Sequence, residues 1–230
     1  MEIKKKITSE EFDEEILYQK SSEIELTKGQ KRKYEIVKKA IELMSKEGIK
    51  ETTINTLAES IKISRSNIKY YFPNMDVLIE SCIQYVTFTS QTITVKFIKE
   101  VDDEDVNYEN HLARLDAIVN AFFYFVENYP QQATIMLLLN YFSSFTPTYR
   151  KMKGTYRSMG AKRIILILKA ISKEKRRSYL HSVDLNALAC SIQSLIFSNA
   201  FLLINNEVEL THKEMCDHTK ELIRLLCTNL

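Results

Sequence analysis

Apolar residues recur at helical spacing along most of this chain, and the breaks fall at glycine, proline and charged runs. Thr27-Lys28-Gly29-Gln30 reads as a capping box that opens a first helix. Ile36, Val37, Ala40, Ile41 and Met44 form that helix's inward stripe, and Gly48 suits a left-handed stop. Short helices are predicted over about 53–61 and 65–72. Pro73-Asn74 then breaks the chain and caps a long fourth helix, which carries Leu78, Ile79, Cys82, Tyr85 and Val86 and runs to about residue 100. The acidic run 102–105 with Asn107 reads as a loop, followed by a fifth helix over about 110–128. Tyr129-Pro130 and Thr146-Pro147 each place a proline where a first-turn residue needs no N–H, so a sixth and a seventh helix begin there. A charged interruption at 173–177 precedes an eighth helix over about 184–206 and a ninth over about 213–228. Only four glycines and three prolines occur in 230 residues, which agrees with an all-α fold.

The segment TTINTLAESIKISRSNIKYYFPNMDVL, residues 52–78, carries the chemistry. Leu57, Ala58 and Ile61 give its first short helix an apolar face, and Ala58 is small enough for close approach of the second. Ile63 is placed to plug the angle between the two, and Ser64 to accept a hydrogen bond from the N–H groups that open the second helix. Arg65, Ser66, Asn67, Lys69, Tyr70 and Tyr71 follow, interrupted only by Ile68, which must point inward. A compact helix, a sharp turn and a helix with an exposed, polar, basic N-terminal half are the parts of a DNA-reading helix-turn-helix.

These residues resemble the N-terminal DNA-binding domain of the TetR family of bacterial transcriptional regulators. Thr52, Thr53, Ile54, Leu57, Ala58, Ile63, Ser64, Ile68, Tyr70, Phe72, Asp76 and Leu78 match its pattern, and the resemblance extends from about Gln30 to Leu78. Three residues depart from that pattern. Lys62 stands where a turn glycine is usual, Lys69 where an aromatic is common, and Met75 where a lysine usually opens the next helix. The resemblance implies an N-terminal three-helix DNA-binding domain over 28–74. A helical ligand-sensing and dimerisation domain of about six helices would follow over 75–230. It also implies binding to a double-stranded operator as a homodimer and a small apolar or amphipathic effector held between the middle helices. Phe122, Phe123, Met136, Tyr141, Phe142, Tyr156, Met159, Gln193 and Phe197 are the candidate liners, weighed against a plain core role for each. The eighth and ninth helices are apolar on more than one face, and Leu188, Ile192, Leu195, Leu222, Ile223 and Leu226 are the candidate dimer contacts.

Charge sharpens this picture. The net charge is only +2, but residues 28–74 hold eleven Lys or Arg against five Glu, a local +6. Residues 1–27 hold four against eight, a local −4, and read as a flexible acidic arm; if docked, the arm would shield the basic module. A basic module on a neutral body is the footprint of phosphate contact. The basic positions Arg150, Lys151, Lys153, Arg157, Lys162 and Arg163 fit either attraction of an anionic effector or an exposed helix face.

For DNA, Arg65, Ser66, Asn67 and Lys69 are candidates for base edges. Ser64 caps the reading helix, while Tyr70 and Tyr71 can reach phosphates with their rings packed on the domain. Thr53 can offer both its hydroxyl and its backbone N–H to phosphate. Four scattered cysteines show no metal spacing, the N-terminal residues lack a signal-peptide core, and no stretch is read as a membrane span, so a cytoplasmic location is expected. Neither a phosphate loop nor a catalytic constellation is found, and His212 and His218 do not share a helix face. No catalytic residue, metal or cofactor is expected. The competing reading is a helical small-molecule- or partner-binding protein with a degenerate helix-turn-helix.

Overall fold

The computed structural model describes residues 27–101, 108–174, 184–205 and 207–228. All the regular structure there is helical: α1 Lys28–Glu47, α2 Ile54–Ser60, α3 Arg65–Tyr71, α4 Met75–Lys99, α5 Tyr108–Asn128, α6 Pro130–Phe145, α7 Pro147–Glu174, α8 Leu185–Ile204 and α9 His212–Thr228. The acidic arm expected before residue 27, the loop expected at 102–107, and residues 175–177 and 206 lie outside the described residues. The chain divides into two compact units, 1–35 and 36–230. In the first, Thr27 and Gln30 form the reciprocal capping box, Thr27 N–H donating to Gln30 Oε1 at 2.9 Å and Gln30 N–H to Thr27 Oγ1 at 3.3 Å.

The second unit begins where α1 turns apolar. Ile36, Val37, Ala40, Ile41 and Met44 are buried, and α1 ends before Gly48, which sits at φ +91°. Thr52 is buried, and its hydroxyl donates to the Gly48 carbonyl at 2.9 Å, which closes the link to α2. Leu57, Ala58, Ile68, Phe72 and Leu78 then join the α1 stripe in the core. Cys82 Sγ lies 3.8 Å from the Val37 carbonyl, so α4 packs directly on α1.

Further along, α5 is the central helix and packs against α4, α6, α7, α8 and α9. Its Phe122, Phe123, Phe125 and Val126 are all buried. Both prolines open their helices as expected, with Tyr129 as the N-cap of α6 and Thr146 as its C-cap. Arg150 donates to the Ser143 and Ser144 carbonyls at 3.2 and 3.1 Å, which satisfies the free carbonyl end of α6. Asp116 on α5 pairs with Arg224 on α9.

The helix α8 requires a correction. It is long and apolar enough, by length and composition, to cross a membrane, contrary to the sequence expectation. Its packing supplies the reason for that composition: α5, α6, α7 and α9 all contact it, and Leu188, Ala189, Ile192, Ile196, Ala200 and Phe201 are covered within the chain. A core helix covered on several sides must be apolar around most of its girth.

Helix α4 is unlike the others in composition. Its second half, from Thr87 to Thr94, holds Thr87, Thr89, Ser90, Gln91, Thr92 and Thr94. Thr89 and Thr94 donate back to the carbonyls of Tyr85 and Ser90, at 3.0 and 2.9 Å. Threonine is a poor helix former, and such back-bonding bends helices.

Among the described residues, Lys62 is the one non-glycine at positive φ (+54°). It follows α2 where the chain must reverse into α3, the position at which a glycine is usual in the pattern named above. A left-handed side chain costs about 1–2 kcal/mol, against about 0.5–1 kcal/mol for the extra freedom of glycine in the unfolded chain. Lys62→Gly is therefore expected to stabilise the protein by up to about 1 kcal/mol in urea unfolding. A lowered midpoint would show that contacts of the lysine side chain, rather than backbone strain, decide the turn.

Candidate nucleic-acid interface and effector cavity

The reading helix is built from both ends. Ser64, in extended conformation, accepts the Asn67 N–H on its hydroxyl at 3.2 Å, and Phe72 closes the C-terminus by donating its N–H to the Ile68 carbonyl at 2.8 Å. Ile68 and Phe72 are fully buried. Around these two anchors Arg65, Ser66, Asn67 and Lys69 are all exposed, as is Ser64. Arg65 and Lys69 have no ion-pair partner among the described residues, so their charges are available to an anion. The helix thus presents donors of both kinds needed for groove readout, cationic and amide.

Two expectations are corrected here. Tyr70 is 81% exposed and its ring does not pack on the domain; it meets only the edge of Tyr71, with centroids 5.1 Å apart. Tyr71, by contrast, is half-buried against the core. Residues 70 and 71 lie about 100° apart around the helix, and here one ring faces the core while the other faces solvent. The backbone N–H of Thr53 is already used. It donates to Thr56 Oγ1 at 2.9 Å while Thr56 N–H donates to Thr53 Oγ1 at 3.1 Å, a capping box that leaves only the Thr53 hydroxyl proton for phosphate.

A second feature lies in the helical body. A cavity of about 320 Å³ is lined by residues of α4, α5, α6, α7 and α8, at the small end of ligand-site volumes. Phe122, Met136, Tyr156, Gln193 and Phe197, expected as liners, line it. Phe123, Tyr141, Phe142 and Met159 do not. Phe123 and Met159 are one residue, and so about 100°, from the liners Phe122 and Gly160. Tyr141 is 62% exposed, and Phe142 packs on Tyr149 with centroids 5.4 Å apart.

The apolar part of the wall is a ring cluster. Phe122 lies 4.4 Å from Phe197 and 6.0 Å from Phe201, centroid to centroid. Of the polar part, sequence reasoning named Gln193 and left the basic positions of α7 open between an anionic effector and an exposed face, but did not raise the α4 residues. Thr87, Ser90, Gln91 and Thr94 come from one face of α4, and Lys153, Arg157 and Arg163 from one face of α7. The α4 set was detectable, because hydroxyl and amide residues at 87, 90, 91 and 94 keep helical spacing within an apolar segment. Gly160 brings α7 close to Gln193; a Cβ there would meet the Gln193 amide nitrogen at 2.3 Å. Burial pushes the Tyr156 phenol up to about 12, against the opposing influence of the Thr87 hydroxyl, so it stays neutral across physiological pH.

The candidate dimer contacts separate by burial. Leu188, Ile192 and Ile223 are buried within the protomer and are core positions, whereas Leu195, Leu222 and Leu226 are half-exposed. Of the cysteines, Cys82, Cys216 and Cys227 are buried, and burial pushes the thiols of Cys216 and Cys227 up to about 11. Such thiols are poor nucleophiles at neutral pH.

The geometry defines a helix-turn-helix DNA-binding regulator with a helical body. Residues 36–82 match the sequence model of bacterial regulatory proteins of the tetR family. No curated protein matches it at the level of sequence. The fold is similar to that of a TetR transcription regulator from Haloarcula marismortui (14% identity, TM-score 0.68, covering 87% of this chain and 98% of that one). It is similar too to a proposed transcriptional regulator from Saccharomonospora viridis in complex with choline (17%, 0.69, covering 84% and 96%). A third such structure is AibR in complex with isovaleryl coenzyme A and operator DNA (13%, 0.64, covering 84% and 97%).

Lys69 tests the interface. If it reads a base, Lys69→Ala should weaken operator binding by about 1–3 kcal/mol and relax preference at one position. A uniform loss on every sequence, with a shallower salt dependence, would assign Lys69 to phosphate instead.

Proposed function

We propose that this protein is a ligand-responsive repressor that binds a palindromic operator as a homodimer, with α3 of each protomer in the major groove. The observation that carries the reading is α3 itself: a short helix pinned by Ile68 and Phe72 that exposes Arg65, Ser66, Asn67 and Lys69 together. Residues 28–74 serve as the reading module and 75–230 as the sensing and dimerisation body. The location that follows from binding chromosomal DNA is the cytoplasm.

Helix-turn-helix proteins usually bind paired half-sites through a two-fold axis, which supports the dimer. So does the surface of α8 and α9. Ala187, Ser191, Ser194 and Ser198 form a row of small, exposed side chains along α8, where a second helix can approach closely. Leu225 on α9 is half-exposed beside Leu222 and Leu226.

The cavity supports the effector. Helix α4 begins directly after the reading module, with Asn74 capping it by accepting the Val77 N–H at 3.0 Å, and it also supplies four residues to the cavity wall. An occupant that prefers one setting of α4 changes the spacing of the two reading helices. A coupling of about 1–3 kcal/mol yields roughly 5- to 150-fold derepression.

Fluorescence anisotropy with DNA from just upstream of the protein's own gene, beside scrambled DNA at two salt concentrations, tests the reading. A preference of about 10³-fold or more with two protomers per site, and a solution mass twice the 26.9 kDa of the chain, is expected. Equal weak binding to both fragments that collapses with salt would transfer the function to the helical body alone.

A further inference from the structure

The charge of the cavity wall narrows what it holds. Among the described residues that line it there are three cations, Lys153, Arg157 and Arg163, and no Asp or Glu. All three project from one face of α7. Arg157 donates to the Ser194 hydroxyl at 2.8 Å, and Arg163 to the amide oxygen of Gln91. Neither Lys153 nor Arg157 has a carboxylate partner among the described residues. The remaining basic positions of that stretch behave differently: Arg150 caps α6, and Lys151 and Lys162 are exposed away from the cavity. Tyr156 is neutral, so the wall is positive at any pH near 7.

Besides the cations, α5 and α8 contribute the Phe122, Phe197 and Phe201 rings to the wall. Gln193 also lines the cavity, is only 8% exposed, and its Oε1 is buried without a hydrogen-bond partner. A buried acceptor left unsatisfied costs free energy, and a donor from a ligand would remove that cost.

We infer that the occupant of this cavity is an organic acid: an apolar chain or ring ending in an anionic group that meets Lys153 and Arg157, and carrying a hydroxyl or amide N–H for Gln193. This inference rests on the proposal that the cavity is the effector site. A quaternary ammonium compound is disfavoured, since it would place a cation among cations with no carboxylate to meet it.

The test is calorimetric titration of the full chain with straight-chain acids of six to ten carbons and their 3-hydroxy derivatives. The matched alcohols, alkyltrimethylammonium ions, alkyl phosphates and acyl-coenzyme A thioesters complete the panel. The acids are expected to bind at least ~10-fold more tightly than the alcohols, as charge-assisted hydrogen bonds require. The 3-hydroxy acids should gain a further ~2- to 10-fold from one neutral hydrogen bond, and Gln193→Met should remove that gain alone. Arg157→Gln, at an exposed position, should reduce acid binding ~10-fold and leave the alcohols within about two-fold, with unfolding curves confirming the fold. Tighter binding of the phosphates or thioesters than of the acids would retain the anion and reassign its headgroup, overturning the carboxylate. Equal or tighter binding of alcohols or ammonium ions, weakened by Gly160→Ala, would overturn the anion but keep the cavity as the site. Binding of any class that ignores Gly160→Ala, or no binding at all, would overturn the cavity reading itself.

Discussion

A seven-residue helix cannot hold its shape in water, because the first turn fixes several residues for each hydrogen bond gained. The reading helix α3 therefore exists only through what lies beneath it, and that is chiefly Ile68 and the Phe72 ring. Both are fully buried with Leu57, Leu78 and the α1 stripe in one core. Truncating either side chain to alanine would cost about 2–5 kcal/mol, a large share of a typical domain's stability. The exposed Arg65, Ser66, Asn67 and Lys69 contribute almost nothing to that core. Stability is carried by one face of the helix, which leaves the residues of the polar face free to vary without cost to the core.

Much of the fold was legible because its punctuation is chemical. Thr27 with Gln30, Ser64, Asn74, Pro130, Pro147 and Asp184 each mark a helix start by a mechanism that acts within one turn. The structure shows those starts at or within a residue of where they were expected. Gly48 marks an end in the same local way. What escaped the sequence depends on residues far apart in the chain. Periodicity marked α8 as apolar on several sides but did not say which sides α5, α7 and α9 would cover. Leu188 and Ile192 were therefore read as dimer contacts when they belong to the core.

The cavity shows the same limit. Five of its liners were legible, because large aromatic and amide side chains on inward faces are few. Phe123 and Tyr141 were indistinguishable from them without knowing the rotation of each helix. The role of the cations stayed open for a further reason. On sequence, Lys153 and Arg157 belong to a basic run that fits a solvated face, and only the packing of α7 across α8, where Gly160 admits Gln193, sets half of that run along the cavity.

The uneven composition of α4 has a mechanical consequence. Its first half is clamped by Leu78, Ile79, Cys82, Ile83 and Val86, all buried. Its second half has threonine where leucine or alanine would stiffen it, and two of its hydroxyls already compete for the backbone. From Thr87 to Thr94 the helix rises about 10 Å, so a bend of about 5° beyond the clamp displaces the far cavity residue by roughly an ångström while leaving the cap at Asn74 unstrained. Curvature is thus the soft coordinate of this rod and its clamped end the stiff one. Motion can reach the DNA-reading end only when the whole clamped segment turns as a body. Small fluctuations of the cavity are absorbed as flexure, and only a displacement that exhausts that flexure is transmitted, which makes α4 a mechanical threshold.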